Sequence, residues 1–326
     1  MRTRTLGRSG FEVSEIGLGC WQLGNDFGAL TEQQSTEILN ASTEAGIQFL
    51  DTADVYGGGL SEERLGKWLK HAAQRPLIAT KVGRDGNLYP DGYTREKVKA
   101  NIAGSAKRLG VEALDLVQLH CVPENVLYDG DLLSWMEDFQ QEGLIRAFGA
   151  SVEMIDQALF CLKHPKLTSL QILFNVFRQD ACESLLPAAA AADVGIIVRL
   201  PLASGLLSGK MRKDQQFEAG DHRHYNRDGT AFHVGETFNG LPFETGVALA
   251  EQLQDELDTS LTLQQVALRW ILDQPQVSTI IAGASRAEQV RANAAVSDLP
   301  ALGEEQHVFL RDFYYTQVRE HIRGGI

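Results

Sequence analysis

The sequence predicts an α/β protein, a (β/α)8 TIM barrel with an N-terminal hairpin and an extra C-terminal helix. Three observations predict it. Eight short runs rich in Ile, Leu and Val recur along the chain: SEIGLGC, GIQFLD, PLIATK, LDLVQLH, LIRAFGAS, SLQILFN, VGIIVRL and VSTIIAG. Short runs without polar alternation are how strands buried on both faces read. Helical patterns alternate with these runs, about eight in all, which is the element order of a barrel. Several runs also stop abruptly on a polar residue, and barrels of this kind build their sites at the C-terminal strand ends.

The elements follow in order. Thr3, Thr5, Phe11 and Val13 alternate with other residues and suggest a small hairpin. Thr31 and Glu32 open a helix that runs to Glu44, with Gly46 as its stop. Ser61, Glu62 and Glu63 open the next, placing acids in its first turn. Thr94 to Leu109 ends at Gly110, Asp131 to Glu142 ends at Gly143, and Val152 to Lys163 stops before Pro165. Residues 179–192, with helix formers from Ala188 to Ala192, then Thr262 to Leu272 and Arg286 to Ala295 complete the alternation. Gly303 to Ile322 reads as one last amphipathic helix. Residues 211–243 are polar and glycine-containing, and lie between the seventh strand and its helix. In a barrel that is the site face, so a lid or binding loop is expected. No repeat or linker interrupts the chain, so a single domain over 1–326 is expected. A doubly wound sheet would need a G-x-G-x-x-G loop after its first strand. The nearest segment, Gly17 and Gly19 followed by Gly24, has its third glycine misplaced.

Composition narrows the function. The net charge of −13 argues against a nucleic-acid partner, which calls for a basic stripe. No apolar run approaches the roughly 20 residues of a membrane span. The start, MRTRTLGRSG, has no apolar core of the secretory kind. Cys20, Cys121, Cys161 and Cys182 form neither a CxxC pair nor a zinc spacing, so reduced thiols, a cytoplasmic location and no metal are expected.

Four polar residues stand out. Asp51 closes GIQFLD, Tyr56 follows in DTADVYG, Lys81 closes PLIATK and His120 closes LDLVQLH. If the strands are parallel neighbours, all four side chains open onto one face and make a proton-transfer site. A Lys ending an apolar strand needs a partner, because an unpaired buried ammonium is costly. Asp51 on the next strand can be that partner. A phenol is a poor acid or base near neutrality, and an ammonium beside it should lower its pKa. Lys81 is therefore expected to tune Tyr56. His120 can donate a hydrogen bond to a carbonyl oxygen. These residues supply no hydride, and carbonyl reduction would need a nicotinamide cofactor.

On these residues the chain resembles the aldo-keto reductases over nearly its full length. The matching segments are GLGCWQLG, DTADVYGGGLSEERLG, ATKVG, LVQLH, Gln171 to Asn175, PLASGLLSGK and IIAGASRAEQVRAN. The resemblance implies Tyr56 as proton donor, tuned by Lys81 and Asp51, with His120 orienting a small-molecule carbonyl. It implies NADPH as cofactor. Ser151 and Gln171 would contact the nicotinamide carboxamide, with Cys20, Trp21 and Asp51 near the ring. Leu202, Ser204, Gly205 and Lys210 would contact pyrophosphate and ribose. Gly283, Ser285, Arg286, Gln289 and Asn293 would take the adenosine end, where a helix start and an Arg suit a 2′-phosphate. Three departures matter. Ser151 is followed by Val152 where many relatives have Asn. Arg199 takes the place of an aromatic ring stacked on the nicotinamide. Only RGGI follows Ile322, where relatives with long tails use them as substrate loops, so the pocket is expected to be more open or closed by other loops. Two other readings remain open: a cofactor-sensing regulatory subunit, as barrels of this family also serve, and a lyase using Lys81 as a Schiff base.

Overall fold

The computed structural model describes residues 1–326. Two short strands, β1 (Thr3–Thr5) and β2 (Glu12–Ser14), pair antiparallel as the expected hairpin. Eight parallel strands follow: β3 (Ile16–Gly19), β4 (Phe49–Asp51), β5 (Leu77–Val82), β6 (Leu114–His120), β7 (Ile145–Ser151), β8 (Ser169–Leu173), β9 (Gly195–Arg199) and β10 (Val277–Gly283). Each pairs with the next, and β10 pairs back onto β3, so the sheet closes into a barrel.

Twelve helices surround it: α1 (Glu32–Glu44), α2 (Leu60–Leu69), α3 (Arg95–Leu109), α4 (Glu124–Asp129), α5 (Leu132–Gln141), α6 (Ile155–Cys161), α7 (Leu185–Ala191), α8 (His222–Tyr225), α9 (Phe243–Glu256), α10 (Leu263–Leu272), α11 (Ala287–Ala294) and α12 (Glu304–Phe313). Their starts obey local chemistry. Thr31 and Thr262 cap α1 and α10 in reciprocal bonds with Gln34 and Gln265.

The barrel interior explains where the site lies. Side chains alternate across a strand, so every second residue points inward. Phe49, Ala79, Leu116, Ala147, Ile197 and Ile281 form one inner apolar group with Leu6 and Val13 of the hairpin. The hairpin therefore plugs one end. It sits so close that a Cβ on Gly7, whose φ is +48°, would lie 2.3 Å from Gly195 N. Two residues further along the same strands stand Asp51, Lys81, Gln118 and Arg199. The apolar plug thus gives way to a polar tier towards the C-terminal strand ends. The larger core fills the space between strands and helices.

Six elements differ from the sequence reading, which does not contain the short helices α4 and α8. The helix expected over Val152 to Lys163 is shorter, and residues 179–192 begin with a single tight turn, Asp180–Cys182, before α7. Helix α9 was not anticipated. Its buried Phe243, Val247, Ala250 and Leu253 keep a helical period, but the polar run before them disguises its start. The last helix is not continuous to Ile322. It ends at Phe313 and widens into a π turn, Tyr314–Val318. Tyr314 and Arg319, five residues apart, both bond Asp180, and an i→i+5 turn brings such residues to one face.

Candidate active site

Strand register sets the centre of the site. Asp51 lies opposite Ala79, so Lys81 sits one inward position beyond it, opposite Gln118. His120 lies opposite Ser151, and Ser151 opposite Gln171. Lys81 Nζ donates to Asp51 Oδ1 at 2.5 Å, to Thr52 O at 2.8 Å and to Tyr56 Oη at 3.1 Å. Those bonds use all the donors an ammonium has. Asp51 Oδ2 accepts from Gln118 Nε2 at 3.1 Å and from Gln171 Nε2 at 2.8 Å. The ion pair, with both side chains 1% exposed, is thus fully hydrogen-bonded, as a buried pair must be.

Tyr56 is carried on a turn of glycines. A Cβ on Gly57, whose φ is +60°, would lie 2.3 Å from Gly24 O, so the turn can press against the segment after β3 only without side chains. Gly24, the misplaced third glycine of the rejected phosphate loop, therefore serves this contact. Trp21 stacks on Tyr56 with ring centroids 5.6 Å apart, and His120 meets Tyr56 edge-on at 5.9 Å.

The electrostatics correct one expectation. Lys81 does pull the phenol down, but burial outweighs it, and Tyr56 is pushed up to about 12. Tyr56 is therefore a protonated acid, not a lowered one. Burial lowers Lys81, yet Asp51 and then Tyr56 hold it above its ordinary value. A lysine that stays an ammonium has no lone pair for attack, so the structure disfavours the Schiff-base reading. Burial, then Arg84 and Lys81, hold His120 well below its ordinary value, so it is neutral. Its Nδ1 is buried without a partner. An unpaired lone pair suits that place better than an unpaired N–H, which assigns the proton to Nε2.

One cavity of about 390 Å³ joins this centre to the barrel rim. Every cofactor residue expected from the sequence lines it. Cys20, Trp21, Asp51, Ser151, Gln171 and Arg199 lie near Tyr56 and His120, then Leu202, Ser204, Gly205 and Lys210, then Gly283, Ser285, Arg286, Gln289 and Asn293. Lys81 does not line it and acts from behind Tyr56. The shape and chemistry fit a nicotinamide dinucleotide. Arg286 caps the start of α11 at the rim and, like Lys210, makes no ion pair. Free amides, the helix dipole and two unpaired cations favour phosphate there.

Some expected contacts are already engaged. Ser204 Oγ accepts from Phe238 N at 3.1 Å and donates to Glu236 O at 3.4 Å. Ser285 donates both N–H and hydroxyl to Gln289 Oε1. Gln171 gives its amide to Asp51 and accepts from Ser151 Oγ at 3.3 Å. Arg199 donates to Val152 O at 2.9 Å and lies 3.7 Å from Glu236.

The cavity also has members the sequence reading missed. Behind the cavity, Gln118 could have been found as a partner of Asp51, since LVQLH places it two residues before His120 on the inward face. Phe27, Cys121, Arg223 and Glu236 also line the cavity. Arg84 bridges Glu153 at 2.7 Å and Glu236 at 2.8 Å. The expected lid is thus partly borne by residues after β9. The C-terminal residues hold that segment instead of reaching the cavity: Arg323 binds Asp228 at 2.7 Å and Gly240 O at 2.8 Å.

The family model "Aldo/keto reductase family" matches residues 15–313. This chain belongs to the aldo/keto reductase family. It is 30% identical over 312 residues to the uncharacterized oxidoreductase YqkF of Bacillus subtilis, covering 94% of each chain. It is 30% identical over 313 residues to the aldo-keto reductase YhdN of the same organism, covering 94% of this chain and 92% of the other. Among solved structures it is similar to the holo form of the aldo-keto reductase AKR11C1 from Bacillus halodurans, at 28% identity and a TM-score of 0.76, with 96% of each chain covered. The aldo-keto reductase is accordingly a nicotinamide-dependent oxidoreductase acting on carbonyl or carbinol groups of small molecules. None of its helices is long and apolar enough to cross a membrane.

Proposed function

We propose that this aldo-keto reductase reduces aldehydes or ketones to alcohols with NADPH, and that Tyr56 donates the proton. The observation that carries the reading is the hydrogen-bond chain from Asp51 through Lys81 to Tyr56 Oη, beside a neutral His120 in one cavity. Bound NADPH supplies the hydride that the chain's own residues lack.

The residues do the rest. His120 Nε2 donates to the carbonyl oxygen and orients it. As negative charge grows on that oxygen, Tyr56 passes its proton there. The Lys81 ammonium stabilises the phenolate left behind, and Asp51, held by Gln118 and Gln171, keeps Lys81 charged. The carbonyl carbon gains a hydride and its oxygen a proton, and the phenolate recovers its proton from water. Ser151 and Gln171 hold the nicotinamide end, and Arg286 with the α11 N-terminus holds the 2′-phosphate that distinguishes NADPH from NADH.

The experiment is a panel of aldehydes, ketones and sugars with each cofactor, followed by loss of cofactor absorbance. Turnover with NADPH well above NADH is expected. Tight NADPH binding without turnover of any carbonyl would replace this reading with a regulatory one.

A further inference from the structure

Tyr56 is followed by three glycines, and Gly57, Gly58 and Gly59 all have positive φ, at 60°, 63° and 100°. Such a run has little stiffness of its own, because glycine has more freedom to lose on folding than any other residue. Yet it carries the residue whose hydroxyl stands 3.1 Å from Lys81 Nζ. A group outside the turn has to hold it there.

Asp26 is placed to do so. A Cβ on Gly24 would lie 2.6 Å from Tyr56 C, 2.7 Å from Gly57 N and 2.8 Å from Asp26 Oδ2. The carboxyl and the amide after Tyr56 therefore converge on one point, the bare Cα of Gly24. Asp26 Oδ2 is buried without a hydrogen bond, and Gly57 N has no backbone acceptor. Buried acceptors normally find a donor. Burial raises the Asp26 carboxyl to about 6, while the Gly57 amide and then the Trp21 side chain pull it down. No charged side chain shifts it. Asp26 is thus an ion at neutral pH, faced by two donors. Beside it in α8, burial lowers His222 to about 4 and raises Tyr225 to about 12, so neither is charged there.

The residue is itself anchored. Asn25 Oδ1 accepts from Leu30 N and from Arg64 Nη1, each at 3.0 Å, and Arg64 Nη1 also donates to Leu23 O at 2.6 Å. Asp26 O accepts from His222 N at 3.3 Å. Helix α2 and the segment after β9 therefore hold Asp26. Its carboxylate in turn faces both neighbours that define the place of Tyr56: the backbone after it and the Trp21 ring stacked on it.

We propose that Asp26 is a positioning residue, whose carboxylate tethers the Gly57 amide and the Trp21 ring and so keeps the Tyr56 hydroxyl against Lys81. Asp26 does not line the cavity, so it acts through Tyr56. The proposal rests on the reading of Tyr56 as proton donor. Asp26→Asn keeps the shape and removes the charge. Its kcat should fall about ten- to a hundredfold, the scale of a displacement of about 1 Å at a reacting group, with KM and NADPH affinity little changed. Wild-type kcat should fall as pH drops through about 6, where Asp26 takes up its proton, and the variant should lose that limb. Glu153, which burial raises to about 7, titrates in both proteins and cancels from the comparison. Circular dichroism reports whether the variant keeps its fold. Nuclear magnetic resonance of the wild type gives a readout independent of turnover. The Gly57 amide and the Trp21 ring N–H signals should shift together with a midpoint near pH 6. Signals that stay still across that range, or a folded Asp26→Asn with wild-type kcat, overturn the proposal. If the wild type reduces no carbonyl with either cofactor, the reductase reading has failed, and the paired shift alone decides whether Asp26 holds the turn.

Discussion

The polar tier inside the barrel and the segment after β9 both place charged groups in one cavity, but they hold them by different means. Asp51, Lys81, Gln118 and Gln171 stand on β4, β5, β6 and β8 of one closed sheet, so backbone register fixes their spacing before any side chain bonds. Each is then buried, and Lys81, Gln118 and Gln171 all bond Asp51. The segment after β9 has only a four-residue helix, α8, and tight turns before α9. Its first residues include Leu200, Ala203 and Ser204 in left-handed backbone, with φ of 52°, 49° and 57°. Such positions cost about 1–3 kcal/mol each and persist where surroundings over-determine them. Here the surroundings are hydrogen bonds, Asn175 Nδ2 to Leu200 O at 2.9 Å and Phe238 N to Ser204 Oγ at 3.1 Å, while ion pairs tie later residues of the segment, Arg84 to Glu236 and Arg323 to Asp228. Rigid elements thus carry the part of the site that needs precise distances, and a loop carries charged groups that line the outer cavity.

The largest expected effect breaks the rigid half. Tyr56→Phe keeps the ring stacked on Trp21 and removes only the proton donor. Turnover should fall by about 10² to 10⁴, the usual worth of a general acid, while NADPH still binds. Because burial raises the phenol to about 12, wild-type Tyr56 stays protonated at every ordinary assay pH. Near-normal kcat in the purified variant would remove Tyr56 from its role.

The next effect separates the halves by stability. His222 in α8 is fully buried, with neither ring nitrogen hydrogen-bonded and Nδ1 3.6 Å from Asp221 Oδ1, and packs on Trp21 and Phe27 at 4.6 and 4.4 Å. Burial lowers it to about 4, with Asp221 opposing. The unfolded chain binds this proton near pH 6.5 and the folded chain only near 4. Stability from this group is therefore whole above about 6.5 and lost as pH falls towards 4, on the order of 3 kcal/mol in all. His222→Phe should lose that part of the acid sensitivity. The low value of His120 persists in both proteins and cancels from the difference. Thermal melts of the two between pH 7 and 4 should diverge in the variant's favour; parallel curves would refute the titration.

The same contrast explains what the sequence disclosed. Asp51, Lys81 and His120 were visible because a polar residue ends an apolar run, and strand alternation then dictates which way each points. The β10 to α11 segment was visible only through its resemblance to the family, since a Ser and an Arg at a helix start are ordinary by themselves. Glu236 was not. It lies in a polar stretch without period, and its partner Arg84 is 152 residues away. Only the folded chain joins them. The direction of the Tyr56 shift was also hidden. Lys81 beside it could be read from strand order, but the burial that outweighs Lys81 depends on Trp21 and the packing above the barrel.

A smaller effect probes the rim, where loop and helix meet. Arg286 has no ion pair and should bind the 2′-phosphate. Arg286→Ala should weaken NADPH by about 1.5–3 kcal/mol, the scale of a charged hydrogen bond, and leave NADH nearly unchanged. Fluorescence titration of both cofactors decides it. Equal losses would show that Arg286 does not read the phosphate.

The smallest effect lies where the halves touch. Arg199 ends β9, so the barrel positions it, but its counter-ion Glu236 comes from the loop. If the nicotinamide lies against Arg199, the guanidinium can stack on it as a planar group. Its charge should disfavour the oxidised ring, which is cationic, more than the reduced ring, which is neutral. Glu236 at 3.7 Å offsets much of that charge, so the bias towards NADPH should be only a few-fold. Arg199→Tyr removes the cation and restores a ring. NADP⁺ should then tighten relative to NADPH by that few-fold factor. Glu236→Gln exposes the cation instead, and NADP⁺ should weaken relative to NADPH. Opposite shifts in the ratio of the two dissociation constants would place the ring in the field of this pair. A ratio unmoved by either change would leave Arg199 as an ion-pair residue that ties the barrel to its loop and has no part in choosing the cofactor's redox state.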